Sequence, residues 1–115
     1  MIALFASGQT YATPGALDLG IDLSPYLNRH FAGDWGACGV HPSFPLHEAT
    51  RAEELTDQAK EDALVNLDAL ENGGRIMSAY VVPHGRRVWV ITDGVWPGGK
   101  IDLSTVTTCL LPSEY

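Results

Sequence analysis

Cys38 and His41 set a thiol and an imidazole three residues apart, and His47 and Glu48 follow shortly after, with Asp34 ahead of the set. Sulfur, imidazole nitrogen and carboxylate oxygen are the donors of a tetrahedral Zn²⁺, so Cys38, His41 and His47 are the candidate ligands of a zinc ion. The spacing matches no established zinc module, and a structural zinc site usually uses more sulfur. The competing reading is a proline-interrupted loop with exposed histidines and a half-buried thiol. The same trio defines the alternative function of the chain, a small metal- or thiol-dependent enzyme.

Nucleophilic catalysis needs a Cys or Ser within hydrogen-bond reach of a base. Cys38 with His41, or Cys109 with His84, supplies the residue types. Cys109, however, stands among apolar residues in a stretch that reads as a strand, the setting of an inert core thiol. No Gly-x-Ser-x-Gly elbow is present. The run Gly94 to Lys100 has glycines and a lysine, but it lacks the glycine spacing of a phosphate loop, the Ser or Thr after the lysine and the helix that should follow.

The stronger signal is electrostatic. The 115 residues carry 14 acids and 7 bases, a net charge of −7 with His neutral. Residues 48–71 alone hold eight acids against Arg51 and Lys60, so six of the seven units fall there. Glu53, Glu54, Asp57, Glu61, Asp62 and Asp68 form a candidate binding face for a protein with a basic surface. The same pattern is also what a solvated helix face displays. Such a field repels DNA, and Arg75 with Arg86-Arg87 is too small a basic group to track phosphates, so direct nucleic-acid binding is not expected. Trp96 sits in a Gly-Pro loop, where a large aromatic is expected to be partly exposed, and exposed aromatics anchor interfaces.

These residues must be held by one domain, since the length leaves no room for a second core. Thr13-Pro14 and Ser24-Pro25 are helix starts. The first helix is short because Gly20 follows. The second sets Leu27 and Phe31, with Tyr26 or His30, on one face and stops at Gly33. A longer helix is predicted over about 56–71, capped by Thr56. Its Ala59, Ala63, Leu67 and Leu70 form a buried stripe with Leu64 beside it, and Asn72-Gly73-Gly74 stops it. Strands are predicted over 76–82, 87–92 and 105–111, with a further short one over 10–12. Short connections make these an antiparallel meander. Helices first and strands last predict an α+β fold: a small antiparallel sheet of three to four strands with two to three helices packed on one face. A meander leaves an edge strand free to pair, so the chain is expected to be a monomer or a homodimer.

No run of about 18 apolar residues occurs, and the first residues lack the basic start of a signal peptide. With only two cysteines far apart, the expectation is a cytoplasmic protein with free thiols and no membrane partner.

Ala12-Thr13-Pro14-Gly15-Ala16-Leu17 is followed by Gly33-Asp34-Trp35-Gly36 and by Glu61-Asp62 with Asn66 and Ala69-Leu70. Then come Gly74-Arg75-Ile76 with Ser78-Ala79-Tyr80, Val88 to Asp93, Thr107-Thr108 and Leu110 to Tyr115. This ordered set resembles a family of short "plasmid-related" proteins carried by bacterial plasmids and integrative elements. Residues 37–55 and 93–103 depart from the family pattern. The resemblance implies a cytoplasmic accessory protein of a mobile genetic element and supplies no catalytic residues. By analogy with other small acidic proteins of such elements, it implies binding to a host protein, including inhibition of a host defence system.

Overall fold

The computed structural model describes residues 8–42 and 56–115. It is an α+β domain built on a four-stranded mixed sheet. In chain order the elements are β1 (Gln9–Ala12), α1 (Pro14–Leu17), α2 (Ser24–Ala32), α3 (Asp57–Asn72), β2 (Gly74–Val82), β3 (Arg86–Val95) and β4 (Val106–Leu110). Single 3-10 turns at Pro83–Gly85 and Pro112–Glu114 join β2 to β3 and follow β4.

The spatial strand order is β1-β4-β3-β2. The expected meander is β2-β3-β4, antiparallel throughout. β1 adds to it in parallel, with Thr10 opposite Thr107 and Ala12 opposite Cys109. Three helices and a hairpin intervene between β1 and β4, and that long connection permits the parallel pairing.

Alternation assigns the faces. Ile76, Ser78, Tyr80 and Val82 are buried on one side of β2, and the register sets them beside Val88, Val90 and Thr92 of β3 and Thr107 and Cys109 of β4. α1 and α2 cover this face through Ala16, Leu23, Tyr26 and Leu27. α3 packs against the β2 side of the sheet, where Ala63 and Ala69 meet Trp35, Ile76 and Ala79. The alanines bring the helix close, and Leu67 and Leu70 close the seam.

The turn after α2 ties these layers together. Gly33 ends α2 in the left-handed conformation. Trp35 is then fully buried, and its indole N–H donates to the carbonyl of His30 at 3.1 Å. Asp34 accepts from Arg29 at 2.6 Å, and the hydroxyl of Tyr80 donates to the carbonyl of Asp34 at 2.7 Å. The backbone of this turn also joins the sheet. Ala79 N–H donates to Trp35, and Ala37 N–H donates to Ala79, so the outer edge of β2 is covered at Ala79.

His30, which the helical spacing allowed on the buried face, is entirely inside. Its Nδ1 meets Ser78 Oγ at 2.5 Å and its Nε2 meets Thr92 Oγ1 at 2.9 Å, and Thr92 in turn meets Thr107 Oγ1 at 2.7 Å. One polar chain thus runs from α2 through three strands. Among the described residues every buried side-chain nitrogen and oxygen has a partner, as a dry interior requires.

Candidate interaction site

Within the described residues, most acids of the segment stand on the outward face of α3. Thr56 caps the helix by accepting from Ala59 N–H at 3.0 Å, and Asp57 lies in the first turn, where the helix dipole favours a negative charge. Ala59, Ala63, Asn66 and Ala69 take the buried side. The opposite stripe is Asp57, Glu61, Leu64, Asp68 and Glu71, at helical steps of four, three, four and three, and all five are exposed. Asp62 is half-buried and accepts from Gln58 at 2.9 Å, while Asp68 accepts from Asn72 at 2.8 Å. Among the described residues the ion pairs are Arg29–Asp34 and Arg75–Asp93, neither of them on α3. The last turn of α3 holds no basic residue, so its carbonyl end adds to the negative potential. Glu53 and Glu54 lie outside the described residues.

Leu64 corrects the expected helix face. It does not lie beside the buried stripe but at the middle of the outward one. Leu64 and Val65 are each 65% exposed. The alanine stripe occupies the side that packs on the sheet, and a residue one position after Ala63 is turned away by about 100°. Glu61 and Asp68 flank this aliphatic pair at three or four residues on either side. Val65 also borders a recess between α3 and the edge of β2, lined further by Cys38, Asp62, Asn66 and Met77.

Trp96 is about half exposed, as its loop suggests. Its turn is docked on the end of α3: Trp96 N–H donates to Lys100 at 2.8 Å, and Gly98 N–H donates to the Glu71 carbonyl at 3.2 Å. Trp96 and Asn72 line one groove. Asp102 is held below the usual carboxylate range first by the Ser104 hydroxyl and backbone, with the Trp96 side chain contributing a further hydrogen bond. The acidic helix and the candidate aromatic are therefore neighbours at the C-terminal end of α3.

The thiol candidates are placed otherwise. Cys38 is buried, and burial followed by the charge of Asp62 pushes its thiol up to about 12, far from the thiolate that attacks a substrate. The ring of His41 stands edge-on to Trp35 at 6.1 Å between centroids, and burial lowers its pKa. His47 lies outside the described residues. Among the described residues no three His, Cys, Asp or Glu side chains gather as a metal set. Cys109 is buried opposite Val90, with its thiol pushed up to about 11 by burial, whereas His84 is exposed in the β2–β3 turn.

Several other polar side chains fasten one part of the chain to another. Asn66 binds the backbone of Met77. Glu114 accepts from Thr13 Oγ1 at 2.6 Å, from Leu111 N–H at 2.9 Å and from Gly15 N–H at 3.2 Å, clamping the start of α1 to the chain after β4. Arg75 pairs with Asp93 at 2.7 Å and donates to the Tyr115 hydroxyl. No family model, curated protein or solved structure matches the chain. No helix among the described residues is long and apolar enough to cross a membrane.

Proposed function

We propose that this chain is a non-enzymatic accessory protein of a bacterial mobile genetic element that binds a host protein with a basic surface. The observation that carries the reading is the outward stripe of α3: Asp57, Glu61, Asp68 and Glu71 are exposed on one face, with no cation of the described residues bound to them. A field of this sign accelerates encounter with cationic partners and repels nucleic acid. The mobile-element origin rests on the resemblance of Ala12 to Leu17, Gly33 to Gly36 and Leu110 to Tyr115 to plasmid-related proteins. Inhibition of a nucleic-acid-handling defence complex is the specific activity that fits both, because such complexes carry the basic surfaces this face would meet.

Capture from a bacterial host lysate tests it. The wild-type chain should retain a basic protein that salt releases. The triple variant Asp57→Lys, Glu61→Lys, Asp68→Lys, with unchanged circular dichroism, should retain none of it. Equal capture by both proteins would sink the proposal.

A further inference from the structure

The acidic face has an apolar centre, and resting on the function proposed above, we infer that the partner docks there a cationic amphipathic segment, with an apolar side chain seated against Leu64 and Val65. Leu64 and Val65 stand side by side at the exposed middle of α3. Next to them the chain is concave: Val65, Met77 and Cys38 form the apolar wall of the recess between α3 and the β2 edge, and Asp62 and Asn66 supply its polar part. A pure counter-charge partner would leave this surface wet. Removing two aliphatic side chains from water is worth far more than an exposed ion pair, which contributes only about 0.2–1 kcal/mol. Charge decides what accompanies the apolar group. Glu61 and Asp68 bracket the aliphatic pair about 10 Å apart along the helix axis, and Asp62 lines the recess beside Val65. An apolar residue flanked by Lys or Arg one helical turn before and after it meets all of these at once, which is the helix-in-groove mode of recognition. The carboxylates guide the encounter, and the aliphatic contact sets the residence time.

The test uses the full chain, isotope-labelled, with two synthetic probes: a helical peptide of alternating Leu and Lys blocks, and an oligolysine of equal charge. The wild type should bind the Leu/Lys peptide at least about tenfold tighter than oligolysine, a difference of about 1.4 kcal/mol. Amide shifts should centre on Val65, Asn66 and Met77. The variant Leu64→Ser with Val65→Ser, both at exposed positions that the fold does not need, should lose that preference and keep its oligolysine affinity. Unchanged preference in this variant overturns the inference. So does a wild-type dimer that the variant converts to monomer, because the patch would then belong to a second copy. Failure of the underlying charge reading is separate: it appears as unchanged oligolysine affinity in the variant Glu61→Lys with Asp68→Lys.

Discussion

The side-chain amide of Asn66 stands where the peptide of a neighbouring strand would stand. It donates to the Met77 carbonyl at 2.8 Å and accepts from the Met77 N–H at 3.0 Å. A helix residue thereby completes the hydrogen bonding of a strand edge, and α3 is fixed in both position and rotation. The orientation of the acidic stripe follows from that fastening, since a helix turned about its axis would bury Glu61 or expose Ala63.

Asn66→Ala leaves the N–H and C=O of Met77 without partners in a half-buried seam. Each orphaned group costs about 1–3 kcal/mol. The variant should lose about 2–5 kcal/mol in urea unfolding, and Asn66→Asp should not rescue it, because a carboxylate cannot donate to the Met77 carbonyl. A loss under about 1 kcal/mol would show that the alanine packing of α3 suffices without the amide.

His30 makes the fold acid-sensitive. Burial alone draws its pKa from 6.5 down to about 3. In the unfolded chain the imidazole takes a proton near its ordinary value, while the folded chain holds it neutral. Between those two values the unfolded state binds more protons, so stability falls as pH falls, by up to about 1.4 kcal/mol per pH unit. The contribution is fully present above about pH 6.5. Denaturation in urea across this range should display the slope, and His30→Gln should be less stable at neutral pH yet flatter in its pH profile. Titration of the His30 ring signals near pH 6.5 in the native protein would contradict the assignment.

Gly36 and Gly20 separate backbone strain from steric clash. Both have a positive φ near 65°. A Cβ on Gly36 would fall 2.1 Å from the carbonyl oxygen of Ala79, whereas one on Gly20 would meet nothing within 4 Å. Gly20→Ala should cost only about 1 kcal/mol of left-handed strain. Gly36→Ala should cost several times more, since the turn carrying Trp35 must leave the edge of β2. Thermal midpoints of the two variants measure the difference directly.

Glu114 joins sequence-distant ends. Its carboxylate is held below the usual range by Thr13 first, then by the backbone N–H groups of Leu111 and Gly15. The stabilising contacts are present above the ordinary carboxylate pKa and fade as pH falls through the lowered one. Glu114→Ala should speed amide exchange at Gly15 and Leu111 and leave the amides of β2 and β3 unchanged. Protection lost throughout the sheet instead would mean that this clamp holds the whole domain.

Much of this was legible in the residues. Helix starts at Thr13-Pro14, Ser24-Pro25 and Thr56, stops at Gly33 and Gly73, and the three later strands follow from local chemistry that tertiary context reinforces. The parallel placement of β1 was not legible, because four residues carry no record of which distant strand they join. The partners of His30 and Asn66 were hidden for the same reason. Ser78 and Thr92 lie on strands whose alternation shows that they are buried but not what they face, and Asn66 meets the backbone of Met77, on which side-chain pattern is silent. Of the candidate site, the charge can be counted from the residues and its described part, Asp57 to Glu71, lies on one helix, and the exposure of Trp96 follows from its Gly-Pro loop. Leu64 was misassigned because leucine is usually internal, although its phase relative to Ala59 and Ala63 already pointed outward.

The sealed side of β2 has a consequence for assembly. Its peptide groups at Met77 and Ala79 are already bonded to Asn66, Trp35 and Ala37. A foreign strand arriving at the middle of that flank finds these groups already occupied. Sheet-to-sheet growth needs a receptive flank on each side of every molecule, and among the described residues the β2 flank is closed at its middle. Joining by strands is therefore disfavoured through the middle of β2, and the β1 side is where a second copy would have to pair.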